Sequence, residues 1–318
     1  MNQFLWIPGR GIDRAALARL RAYCRKPDAA MGEAWFMGER RMFPELFGDL
    51  DTLPLDTLML ALEEIASGTS SFGPLQEWRD WYHYLLGALL PRSHGFDVLH
   101  SLLEDLMSGF MTQYPNGVHR PPYPEFHEDV LLTLGCCLME PECWNGTDIA
   151  LGNVLRRSND NPAGVWLWFD ASGDLSASLF FCLKYLPEAS IAPWLHSVLA
   201  IPAPHWRAQL MVWLTGAHDI LAGTLAWPAQ WPLDARPYVG WEWSHCLGPH
   251  LAQADESGAA PSQAFLPEGS RLQALRTLDA YFTEARYREW LAAISAVPEV
   301  VAELEGISAL FAERYLRK

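Results

Sequence analysis

His218 and Asp219 stand side by side in an apolar helical stretch, with His196 and His205 upstream and Asp234 and Asp255 downstream. Imidazole nitrogen and carboxylate oxygen suit divalent metals, so a His, a His-Asp pair and a later Asp form the set that a metal-dependent hydrolase would need. The helical wheel argues against convergence. Leu210, Trp213, Leu214, Ala217 and Leu221 define the buried stripe of the helix expected over 204 to 223, which leaves Asp219 nearly opposite and His218 on the flank.

Two other clusters fall short of a site by spacing. His127-Glu128-Asp129 lacks the second His four residues on that a zinc hydrolase helix carries, since position 131 is Leu. Cys136, Cys137 and Cys143 lack paired C-x-x-C spacing and lie in an apolar stretch, where buried thiols are at home. No G-x-S-x-G elbow, Walker loop or G-x-G-x-x-G is present, and Gly68 to Gly73 (GTSSFG) reads as a turn before Pro74. No catalytic residue, metal site or cofactor is therefore expected from the sequence.

Charge gives a stronger signal. Residues 51 to 175 hold eighteen acidic side chains against five basic ones, a balance of −13 within a chain total of −15. Residues 1 to 50 sum to +2, 176 to 267 to −3 and 268 to 318 to −1. Such a field repels nucleic acid and anionic membranes and attracts basic proteins. Glu63, Glu64, Glu77, Asp80, Glu104 and Asp105 fall on the expected polar faces of successive helices, and Glu125, Glu128 and Asp129 extend the series. These nine are the candidate partner-binding carboxylates.

Fifteen tryptophans supply candidate anchors. Trp78, Trp194, Trp213 and Trp290 lie on apolar helical stripes and belong to the core. Trp227, Trp231, Trp241 and Trp243 lie instead in a Pro- and Gly-rich stretch, Gly223 to Gly269, where such rings either hold a partner or pin the loop to the core. Trp241 and Trp243 are the candidate anchors.

The elements that must position these groups are almost all helical. Leu75, Trp78, Tyr82, Leu85 and Leu89 step by three and four through 74 to 90 behind Pro74. Over 96 to 113, Leu99, Leu103, Leu106 and Phe110 share one face against Asp97, His100, Glu104, Asp105 and Ser108, which predicts a one-sided acidic helix. Similar patterns predict helices at 12–26, 54–66, 124–139, 147–156, 174–186, 188–200, 204–223, 271–282, 284–296 and 298–316. Only Val165–Phe169 and Val239–Trp243 have strand-like composition.

The expected architecture is therefore all-α, an array of antiparallel helix pairs with HEAT-like stacking and at most two short strands. An acidic region, 1–158, precedes an apolar one, 159–318, both packed as one helical fold. Half of the residues are hydrophobic and 19% are charged, which excludes disorder. Prolines 193, 202 and 204 break up the low-charge stretch 175–233, so it is read as core and not as a membrane span.

The N-terminus lacks a signal pattern and six cysteines suit reduced thiols, so a cytoplasmic protein is expected, in which the sequon Asn145-Gly146-Thr147 is without meaning. Twenty arginines against three lysines suggest a GC-rich, bacterial coding sequence. The functional expectation is an inhibitor or adaptor whose acidic helices dock on and occlude a basic protein, most concretely an immunity or antitoxin-type protein acting on a toxin enzyme. The alternative is a metal-dependent hydrolase of the HD type centred on His218 and Asp219.

Overall fold

The computed structural model describes residues 3–33, 36–39, 41–68, 75–95, 101–150, 172–232, 234–239, 241–254, 262–296, 304 and 306–316. Its helices in the first half are α1 (Arg14–Tyr23), α2 (Leu55–Gly68), α3 (Leu75–Leu89), α4 (Leu102–Gln113) and α5 (Phe126–Leu132). The second half holds α6 (Gly173–Tyr185), α7 (Glu188–Ala200), α8 (Pro204–Gly216), α9 (His218–Ala222), α10 (Pro249–Ala254), α11 (Glu268–Tyr281), α12 (Glu284–Ser295) and α13 (Ile307–Tyr315). The protein is mostly α, as its periodicity predicts. Among the described residues no helix is long and apolar enough to cross a membrane.

Local chemistry explains where several helices begin. Asp13 caps α1 by accepting from the amides of Ala15 and Ala16, Ser101 caps α4 through Glu104, and Thr283 caps α12 through Arg286. Pro204 opens α8, where a missing amide hydrogen costs nothing. The helix expected over 204–223 is instead two. At Gly216 the backbone passes so close to the Pro237 carbonyl that a Cβ would lie 2.6 Å from its oxygen, and the chain turns at Ala217 before α9.

The segment 124–139 also divides: α5 stops at Thr133 and Leu134–Met139 continues as 3-10 helix. Tertiary bonds claim its carbonyls. Gly135 O accepts from Trp6 Nε1 at 2.8 Å, Leu138 O from Trp144 Nε1 at 2.7 Å, and Met139 O from the Gly11 amide at 2.9 Å.

The helix expected over 147–156 is corrected where it is described. Asp148–Ile149 (β2) pairs antiparallel with Trp144–Asn145 (β1) across a tight turn, with Gly146 at φ +65°. The strand expected at Val165–Phe169 lies outside the described residues. The one expected at Val239–Trp243 is not formed, because Glu242–Cys246 is a 3-10 helix.

One hydrophobic core runs from Trp6 to Tyr315 and joins the acidic and apolar regions. Its centre is α4, which packs against α2, α3, α6, the 134–139 turn and the 242–246 turn. Other close packings are α1 with α5, α7 with α11, and α8 with α12 and α13. These pairs mostly skip along the chain, so the stacking of consecutive helices that defines a repeat solenoid is not evident in them.

Candidate partner-binding surface

The candidate carboxylates divide into a buried set and an exposed set. On α4 every described residue is buried, including Glu104 (3% exposed) and Asp105 (0%). The one-sided polar face expected for this helix is therefore corrected: neighbours surround it on all sides, so its polar groups must find partners inside the protein. Ser101 bonds Asp174 of α6 through its hydroxyl.

The two candidate tryptophans meet the same helix. Trp243 Nε1 donates to Asp105 Oδ1 at 2.7 Å, and Trp241 Nε1 donates to Ser108 Oγ at 2.9 Å. Trp241 is fully buried and its ring stacks on Phe180 at 5.5 Å. The structure thus makes Asp105 and Trp243, chosen on separate grounds, partners of each other, and brings Trp241 to the same helix at Ser108. Trp241 pins the loop to the core and presents nothing to a docking protein.

Asp129 is also enclosed. Arg19 of α1 reaches it with Nε to Oδ2 at 2.9 Å and Nη2 to Oδ1 at 2.5 Å, while the Tyr123 hydroxyl donates to Oδ2 at 2.9 Å. Burial, followed by this carboxylate's presence, pushes the Tyr123 phenol well up from its ordinary value. Asp129 is thereby a neutralised tie between α1 and α5.

The remaining candidates reach the surface. Glu63 and Glu64 on α2 and Glu77 on α3 are half-buried, with Glu77 accepting from the Gly32 amide at 2.5 Å. Asp80 is exposed beside Gln76, and Glu125 and Glu128 are exposed at the start of α5. Asp51 and Asp56, which the helical-face argument passed over, are exposed as well. Helix α1 packs against both α3 and α5, so the α3 and α5 carboxylates stand on helices that flank it.

What the nearby cations do decides the electrostatics of this surface. Arg79 donates to Gln113 O at 2.9 Å, and Arg92 donates to Leu50 O at 2.6 Å and Leu53 O at 3.2 Å. Arg21 donates to Gly87 O at 2.9 Å, and Lys26 to Phe47 O and Gly48 O at 3.0 and 2.9 Å. These cations satisfy backbone carbonyls. Asp51, Asp56, Asp80, Glu125 and Glu128 form no ion pair among the described residues.

The hydrolase candidates are dispersed. His218 Nδ1 lies 3.6 Å from Asp219 Oδ1, and its ring meets Tyr315 edge-on at 5.5 Å. Burial and then Arg314 lower the pKa of His218, which favours neutral imidazole. His205 is buried and holds Asp148 at 2.9 Å, whereas His196 lies beside Tyr281. Asp234 is exposed, and Asp255 lies outside the described residues.

Among the described residues no group of three or more His, Cys, Asp or Glu is placed to hold a metal ion. Burial pushes the Cys136 thiol up to about 12 and that of Cys143 higher still, as expected of inert core cysteines. Comparison with protein-family models, curated proteins and solved structures returns no match.

Proposed function

We propose that this protein is a binding protein that docks on a basic protein through the exposed carboxylates of its acidic region. The occlusion of a cationic enzyme, as by an immunity or antitoxin-type inhibitor, is the most concrete form of this reading. The observation that carries it is the employment of the local cations: Arg79 and Arg92 serve backbone carbonyls, while Asp51, Asp56, Asp80, Glu125 and Glu128 remain exposed. Carboxylates left without local counter-charges steer a basic partner and pair with its Lys and Arg on contact.

The chemistry is steric and electrostatic. A surface that offers phosphate-like charge competes for a cationic cleft, and long-range attraction raises the capture rate. The test uses the tagged full chain as bait in lysate of the cells that produce it, at low and high salt, beside a variant carrying Asp56→Lys, Asp80→Lys and Glu125→Lys. The reading expects a stoichiometric basic protein that salt releases and that the variant fails to retain. Equal retention by the variant removes this surface from consideration.

A further inference from the structure

A cleft of about 380 Å³ opens between the N-terminal segment and α5, its lining including Arg10, Glu128, Leu132, Cys136 and Met139. Its Arg10 wall is held in place along the backbone. The Arg10 amide donates to Ile7 O at 3.0 Å, Gly11 to Met139 O at 2.9 Å, Ile12 to Glu140 Oε1 at 2.7 Å and Asp13 to Leu132 O at 2.9 Å. Gly11 has φ +66°, and a Cβ there would stand 2.5 Å from Glu140 Oε1, so glycine alone permits this approach.

The charged groups at the opening differ in whether they are occupied. Arg14 is bound to Glu140 at 3.0 Å, and the Asp13 carboxylate caps α1. The Arg10 guanidinium and the Glu128 carboxylate have no hydrogen bond or ion pair among the described residues, and both are exposed. Leu132, Cys136 and Met139 give this cleft of mixed lining an apolar portion beside two charges, and the backbone bonds that hold the Arg10 wall leave the main chain little ordering to undergo on binding.

We propose that this cleft binds a small zwitterion with an apolar body, an α-amino acid with an aliphatic or aromatic side chain. Arg10 takes the carboxylate, Glu128 takes the ammonium group, and Leu132 and Met139 receive the side chain. Of the exposed carboxylates assigned to docking, Glu128 is shared with this cleft, whereas Asp51, Asp56, Asp80 and Glu125 do not line it.

Calorimetric titration of the full chain with leucine, N-acetyl-leucine, leucinamide and glycine separates the contacts. Saturable leucine binding is expected, with each of the other three at least about tenfold weaker because each lacks one recognised group. Arg10→Gln and Glu128→Gln should each weaken leucine about tenfold with unchanged melting temperature, since both side chains are exposed. The assignment is overturned if leucine fails to saturate by about 10 mM, if leucinamide or N-acetyl-leucine binds as tightly, or if Arg10→Gln leaves the affinity unchanged.

Discussion

Helices α2 and α4 pack on each other and each carries an adjacent acidic pair, Glu63-Glu64 on one and Glu104-Asp105 on the other. The first pair is half-buried at the surface and the second lies in the interior. Nothing within either helix separates them. The difference is the number of neighbours: both helices meet α3, but α4 also meets α6 and the 134–139 and 242–246 turns. A carboxylate's environment is thus set by topology, and the interior then demands partners for it. At Asp105 Oδ1 that partner is Trp243, from a loop more than a hundred residues away.

Trp241→Ala should break the interior side of this comparison most severely. The ring is fully buried, stacks on Phe180 and donates to Ser108, so its loss should cost about 3–5 kcal/mol. Urea denaturation measures this directly. A loss under about 1 kcal/mol would mean that the loop is not part of the core.

Asp105→Ala comes next in size. Trp243 Nε1 loses its acceptor at 2.7 Å, and a donor stranded away from water costs about 1–3 kcal/mol. The double variant with Trp243→Phe should cost less than the sum of the singles, because the second change removes the stranded donor. Additive losses in that cycle would refute the pairing.

The sequence displays much of this architecture and hides its centre. The apolar stripes of α1, α2, α3, α6, α7 and α12 fall within a few residues of their observed bounds, since each of these helices reads out its own caps and periodicity. Helix α4 could not be read in this way, because a wheel with one polar side describes a surface helix and a fully enclosed one equally well. Two local cues were present: Ser101 and Glu104 at capping spacing, and indole donors concentrated in a loop. The 124–139 division was invisible because long-range donors, Trp6, Trp144 and Gly11, claim its carbonyls.

Lys184 sharpens the comparison from the cationic side. It is buried on α6, donates to Phe265 O at 2.6 Å and lies 4.7 Å from the Phe265 ring centre. Burial lowers its pKa from 10.5 to about 7. Between those values the unfolded chain binds a proton that the folded chain does not, so stability from this group rises with pH. The penalty is complete below about 7 and is relieved above it, with a slope of about 1.4 kcal/mol per pH unit.

The raised thiols Cys24 and Cys136 act in the opposite sense once pH passes their unfolded value of 9.0. The informative window is therefore pH 7 to 9. Chemical denaturation should show the gap between wild type and Lys184→Met changing across it at that slope. A constant gap would show that the ammonium group stays charged when buried.

The smallest stability effects belong to the exposed carboxylates, and that is where they become useful. Asp56→Lys and Asp80→Lys change side chains that form no ion pair among the described residues and face solvent, so Asp80→Lys should alter stability by no more than about 0.5 kcal/mol, and Asp56→Lys, in the first turn of α2, by about 1 kcal/mol. Against a basic partner the same changes should act on capture. Steered association depends on the summed field and is screened beyond about 10 Å at 0.1 M salt, so the association rate should fall at low salt and converge with wild type at high salt, while dissociation changes little. Stopped-flow measurement across a salt series tests this. A variant that dissociates faster at every salt concentration but associates normally would place Asp56 or Asp80 in a close contact, and the role of the exposed set would then be specificity and not steering.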